Sequence, residues 1–125
     1  MLTMKIPYDE TENLEVFPVV EEYSFNGRAA ITLMYINKDL PDCPYIEPWC
    51  DITVNLPYAP ITDENCGYLD TNDSPYIVDF LVENNLGELT GRTAASGFCT
   101  YPEFRFNMER IKEFEEEGVK INADT

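Results

Sequence analysis

Apolar and polar positions in this chain alternate mostly with period two, and change to helical spacing only in its second half. From Asn13 to Phe25, the residues Val16, Phe17, Val19, Val20, Tyr23 and Phe25 mark an extended strand. Pro18 inside it points to an edge position or a bulge, because proline has no N–H to give to a ladder. Asn26-Gly27 predicts a tight type I′ turn, which needs positive φ at both central residues. Ala29 to Ile36 returns as the second strand, and residues 37–48, with Pro41, Pro44 and Pro48, read as a loop. Trp49 to Leu56 is the cleanest alternation, with Ile52, Val54 and Leu56 on one face, ended by Pro57 and Pro60. A short strand is expected around Gly67-Tyr68-Leu69.

Ser74-Pro75 then predicts a helix, with serine as N-cap and proline in the first turn. Ile77, Phe80 and Leu81 would form its buried stripe, Asp79 and Glu83 its exposed side, and Asn85 to Gly87 its stop. A strand is expected over 97–101. A last helix is expected from an Asn107 cap to about Glu117, with Ile111 and Phe114 inward and Gly118 at its end. The order β-β-β-β-α-β-α implies an α+β fold, a small and mainly antiparallel sheet with two helices packed on one face. Residues 1–12 read as a flexible N-terminus, 13–118 as a single domain and 119–125 as a C-terminal tail.

Charge constrains the function more than composition does. The chain has 24 acids, 8 bases and no histidine, a formal net charge of −16, yet it is 44% hydrophobic and 13% aromatic, which is too apolar for a disordered acidic tail. Between Lys38 and Arg92 there is no lysine or arginine, while 57–88 carries Asp63, Glu64, Asp70, Asp73, Asp79, Glu83 and Glu88. Like charges gathered by folding repel one another, so a chain that keeps such a field is expected to use it on a partner. The field disfavours direct nucleic-acid binding and anionic membranes and favours basic proteins. Glu113, Glu115, Glu116 and Glu117 form a second acidic run, placed by this reading near a helix C-terminus, where the dipole disfavours acids.

Candidate chemistry is sparse. Without histidine, Ser-His-Asp and Cys-His arrangements are excluded, and no glycine-rich phosphate loop or nucleophile-elbow motif occurs. With 24 acids a close carboxylate pair is inevitable and says little about glycosidase chemistry. Asp70-Thr71-Asn72-Asp73-Ser74 lacks the glycine and glutamate of a calcium loop, whose places hold Pro75 and Leu81. Cys43, Cys50, Cys66 and Cys99 contain no C-x-x-C pair and are expected to be buried free thiols rather than a zinc site. The N-terminus has no apolar run of a signal peptide and no segment has the ~18 apolar residues of a membrane span, so a cytoplasmic location is expected. No cofactor, metal or catalytic residue is expected.

The stretch from Thr90 to Phe106 differs from the rest in its small residues, its aromatics and two of the eight bases. Arg92 could centre a binding loop. The plainer reading makes Arg92 and Arg105 internal partners for surplus carboxylates. TVNLP (53–57), the LG–TGRT–SGFC series (86–99) and YPEFRFNME (101–109) together resemble a family of small acidic proteins of unassigned function encoded on bacterial mobile elements. The resemblance covers about 43–112, to which 1–42 do not contribute, and supplies no catalytic residues. It implies a context, since mobile elements often encode small proteins that blunt host defences.

The expected function is therefore a non-enzymatic acidic protein that mimics nucleic acid and inhibits a host-defence nuclease or effector complex, as anti-CRISPR and anti-restriction proteins do. The expected contact residues are Asp63, Glu64, Asp70, Asp73, Asp79, Glu83 and Glu88, then Glu113, Glu115, Glu116 and Glu117. The alternative is a mobile-element adaptor that docks through aromatic surface and is acidic only for solubility. The sequence is compatible with a homodimer.

Overall fold

A computed structural model describes residues 2–6, 9–37 and 45–123. Within them the elements are β1 (Leu2–Ile6), β2 (Asp9–Glu22), β3 (Ala29–Asn37), β4 (Tyr45–Asp51), β5 (Thr53–Val54), β6 (Cys66–Leu69), α1 (Ile77–Glu83), β7 (Gly87–Ser96), β8 (Cys99–Phe106) and α2 (Met108–Ala123). The class is α+β. The strands form two antiparallel four-stranded sheets rather than one, ordered β1-β2-β3-β4 and β5-β6-β8-β7. Helix α2 lies against β2 of the first sheet, and α1 against β7 of the second.

The N-terminal stretch, expected to be loose, contributes a strand. Leu2 pairs with Val16 and is only 3% exposed, because an apolar residue beside the core gains more from burial than the short polar flank loses. Beyond Val16, β2 has β3 on one side and no β1 residue on the other. Pro18 falls there, where a missing N–H breaks no ladder bond. Two residues on, the Val20 N–H donates to the Glu115 carboxylate of α2, which closes the open edge.

The β2–β3 hairpin is present, but its turn is longer than Asn26-Gly27 predicts. The Tyr23 N–H donates to the Arg28 carbonyl at 2.9 Å and the Gly27 N–H to the Tyr23 carbonyl at 2.8 Å. Gly27 alone takes positive φ, at 72°, while the Asn26 side chain accepts from the Arg28 N–H and donates to Asn55 Oδ1. Part of the expected 37–48 loop is strand β4, whose Pro48 is accommodated by a bulge: Met34 pairs with Pro48 and Leu33 with Cys50, leaving Trp49 over. The rest of that loop, 38–44, with Cys43, lies outside the described residues. The strand expected from Trp49 to Leu56 divides at Ile52, whose N–H bonds the Ile31 carbonyl of the first sheet and whose carbonyl accepts from the Asp70 N–H of the second.

One apolar cluster joins both sheets and both helices, through Val16, Ile31, Leu33, Ile52, Leu69, Ile77, Leu81, Phe104 and Ile111 among others. A smaller one, Leu56, Ala59 and Tyr68 with Val54, Ile61, Ala94 and Tyr101, covers the opposite face of the second sheet with the loop after β5. Helix α1 buries Ile77, Phe80 and Leu81 as the stripe predicts. It starts later than Ser74-Pro75 implies and has no side-chain cap. Its stop is a Schellman turn: Asn85 sits at φ 58°, its N–H bonds the Val82 carbonyl, and the Leu86 N–H reaches back to Leu81.

Of residues 97–101, expected as strand, Cys99 to Tyr101 open β8, while Gly97, at φ 61°, and Phe98 form the turn of the β7–β8 hairpin. Small and β-branched residues on both sides of a glycine suit a hairpin arm as well as a strand centre, and the turn wins because Gly97 takes a conformation other residues resist. Asn107 caps α2 through its side chain, which accepts from the Arg110 N–H. The helix continues through Gly118 to Ala123 instead of ending there, because the absent side chain of Gly118 lets the helix meet the Phe17 ring, where a Cβ would lie 2.2 Å from the ring carbons. The expected tail from 119 is thus helical to Ala123, and 124–125 lie outside the described residues.

Candidate functional site

The most constrained polar group is Glu103, whose side chain is completely inaccessible to solvent. It follows from the strand period. Odd residues of β8 face the side of the second sheet that the 55–62 loop covers, so Glu103 is directed there beside Tyr68, its cross-strand partner. On the other flank, β7 has three residues, Thr90, Gly91 and Arg92, opposite this one position. That three-residue bulge, with Gly91 at φ 91°, turns the Thr90 hydroxyl and the Arg92 guanidinium toward the carboxylate.

Glu103 accepts from the Thr62 N–H at 2.8 Å, the Thr62 hydroxyl at 2.5 Å and the Thr90 hydroxyl at 2.5 Å, with Arg92 Nε 4.0 Å away. Burial pushes its carboxyl up, but the two hydroxyls, the N–H and the Arg92 charge outweigh that and hold its pKa below the ordinary 4.5. The arrangement is a satisfied anion that ties the bulge to the loop after β5. It leaves the carboxylate no access to a substrate.

A second ionic knot lies two residues further along β8, at Arg105. Arg105 binds Asp63 Oδ2 at 2.9 Å and Glu88 Oε1 at 3.3 Å, joining the β5–β6 loop to the start of β7. The Arg105 hydrogen bond holds the Asp63 carboxyl below its usual range, helped by the Asn65 N–H. Arg92 and Arg105 are therefore internal partners, as the plainer sequence reading expects. The other arginines also bond within the fold: Arg28 to the Leu56 carbonyl, and Arg110 to the Asn84 carbonyl at the end of α1, with its guanidinium 5.0 Å above the Phe114 ring.

The expected contact acids divide accordingly. Asp63 and Glu88 share Arg105. Asp70 accepts from the Asp73 N–H, and burial together with the Asp73 and Asp51 charges raises its pKa. Glu115 is engaged by the β2 edge, and Glu117 also has an interaction within the fold. Glu64, Asp79, Glu83, Glu113 and Glu116 are exposed, with no ion pair among the described residues. Because α2 extends to Ala123, its acids sit mid-helix, and Lys120 occupies the last turn. Sequence reasoning missed Glu103. An acid at a period-two position between Tyr101 and Arg105, facing a Thr-Gly-Arg segment, was the available signal.

Cys50, Cys66 and Cys99 are free thiols, and burial pushes those of Cys50 and Cys66 up, away from reactive thiolate. Among the described residues no group of three or more Cys, Asp or Glu is placed to hold a metal, and no helix is long and apolar enough to cross a membrane.

A family model described as a domain of unknown function, DUF4313, matches residues 9–124. The chain belongs to the DUF4313 family. The DUF4313 match takes in residues 9–42, which the sequence resemblance leaves out, and of these 9–37 form β2, β3 and their hairpin. No curated protein and no solved structure matches the chain.

Proposed function

We propose that this protein is a non-enzymatic interaction protein that offers carboxylates to the nucleic-acid-binding surface of a basic host protein, a defence nuclease or effector complex of the restriction or CRISPR kind. One observation carries the reading. Arg28, Arg92, Arg105 and Arg110 all bond inside the fold, while Glu64, Asp79, Glu83, Glu113 and Glu116 face solvent without ion pairs among the described residues. The guanidinium groups are thereby held at joints between elements, and these five carboxylates are projected outward.

Like charges at i and i+4 cost a helix about 0.2–0.5 kcal/mol, so Asp79 and Glu83 on α1 are kept at a small loss of stability. Such a field raises association rates with a basic surface by long-range attraction. The mobile-element context of the sequence resemblance supports the host-defence part of the proposal.

The test is affinity capture of host proteins on the purified chain, followed by elution with salt or with duplex DNA. A nucleic-acid-binding protein that either agent releases, and that the Glu64→Lys, Asp79→Lys, Glu83→Lys variant does not retain, supports mimicry. Retention unaffected by DNA, or by these changes in a folded variant, overturns it. A second reading, an adaptor docking through aromatic surface, is favoured by Phe98 at the hairpin tip and by Phe25 and Tyr58, all strongly exposed. Capture that survives high salt is its signature.

A further inference from the structure

We infer that the open edge of β7, with the hairpin tip at Phe98, is a self-association face on which a second copy of this chain docks by antiparallel pairing of β7 with its own counterpart. Sheet edges are the starting point, since each offers unpaired backbone groups to another strand. Three of the four edges are protected. β5 has two residues, β4 carries Pro48, a bulge and two acids, and β1 has five residues with an irregularity at Lys5/Ile6. β7 has ten residues, and its bulge at 90–92 leaves the outer segment Thr93–Ser96 regular, without proline or charge.

The direction of the backbone follows from the turn. Gly97 at φ 61° in the first central position is a type II′ geometry, and the flanking Ser96–Cys99 pair exchanges the ladder bonds. Thr93 and Ala95 therefore turn their N–H and C=O groups away from β8. The Ala95 carbonyl accepts from the exposed Tyr58 hydroxyl at 2.6 Å, as an outward carbonyl would. The other outward groups of these two residues have no partner among the described residues.

Charge selects the occupant. Two copies at −16 repel over most of their surfaces. From Leu89 to Pro102 the sequence holds no acid, and Arg92, its one base, is drawn toward buried Glu103. This is the face on which a second copy approaches without opposing carboxylates. Phe98, fully exposed, and Leu89, 47% exposed, supply the apolar surface that self-association removes from water. An antiparallel β7–β7 contact is isologous, so it closes as a two-fold dimer and joins two four-stranded sheets into one of eight.

The test is sedimentation of the full chain over a range of concentration and sodium chloride, with amide exchange read at Thr93 and Ala95. The expected result is a reversible dimer that tightens as salt rises, with slower exchange at both amides in the dimer. Ala95→Pro and Thr93→Glu should each leave a folded monomer; if the proline variant does not fold, the glutamate variant and the exchange data decide. A chain monomeric at every concentration and salt overturns the proposal, as does a dimer that survives Thr93→Glu or leaves the two amides unprotected. Binding of a basic partner weakens with salt, so the two proposals fail separately.

Discussion

Replacing Glu103 is the sharpest test of how this fold is held. The carboxylate is inaccessible to solvent and accepts three hydrogen bonds, from the Thr62 N–H, the Thr62 hydroxyl and the Thr90 hydroxyl. Hydrogen bonds to a charged group contribute about 1.5–3 kcal/mol each, but they are not additive, and part of their worth offsets the cost of burying the charge. In Glu103→Ala three donors lose their acceptor at once, and the Arg92 charge loses its partner. Breaking such a buried set costs about 3–5 kcal/mol, a large share of the roughly 5–15 kcal/mol that holds a domain of this size. Urea unfolding followed by circular dichroism measures it directly, and the fall in melting temperature should be on the order of 10–20 °C.

Acid supplies a second readout. Because the folded pKa of Glu103 is lowered, its contribution is fully present above the unfolded value near 4.5 and is lost as pH falls through the folded pKa. Glu103→Gln keeps the shape but removes this linkage. The stability difference between wild type and Glu103→Gln should therefore be constant at neutral pH and shrink below about pH 4.5. Taking the difference cancels the titration of the other acids. A Glu103→Gln protein as stable as wild type, with a parallel acid limb, would refute the claim that a buried anion ties Thr62 to the bulge.

Gly118→Ala places a methyl 2.2 Å from the Phe17 ring and should cost about 1–3 kcal/mol by overpacking, with Phe17→Leu restoring part of the loss. Asp70→Asn should raise the melting temperature at neutral pH, because burial and the Asp73 charge oppose its ionisation, and the gain should vanish as pH falls toward 3.8. At a net charge of −16, melting temperature should climb from low to moderate sodium chloride as screening reaches a Debye length of ~8 Å; a flat response would mean that repulsion is not a significant term.

The parts of the fold legible in the sequence are those fixed locally. The apolar stripe Ile77, Phe80 and Leu81, the stop at Asn85, the Asn107 cap and the β2–β3 hairpin depend on neighbouring residues, and all are present. What was not legible depends on distant chain. Pro18 lies inside a strand because β1 ends beside it, and Gly118 lies inside a helix because Phe17 needs its space. The break at Ile52 exists because Ile31 and Asp70 bond its two polar groups from different sheets. Of the eleven acids expected at the contact surface, Asp63, Glu88 and Glu115 have tasks within the fold that no local pattern announces.

The placement of the arginines links the surface to the fold. Each bonds across a junction: Arg28 joins the first hairpin to the loop after β5, Arg92 the β7 bulge to β8, Arg105 the β5–β6 loop to β7, and Arg110 α2 to the end of α1. Solubility alone needs no such segregation, since a mixed surface of both signs serves it as well. With the guanidinium groups at the joints, Asp79 and Glu83 on α1 and Glu113 and Glu116 on α2 have no ion pair among the described residues, while the outer part of the β7–β8 hairpin, from Leu89 to Pro102, has no acid. The two regions favour different contacts. Exposed carboxylates act at range and weaken as salt screens them, whereas a neutral edge with an aromatic tip acts only at contact and strengthens once repulsion is screened. One protein titrated with salt would then exchange a basic partner for a copy of itself, and the two binding curves should cross.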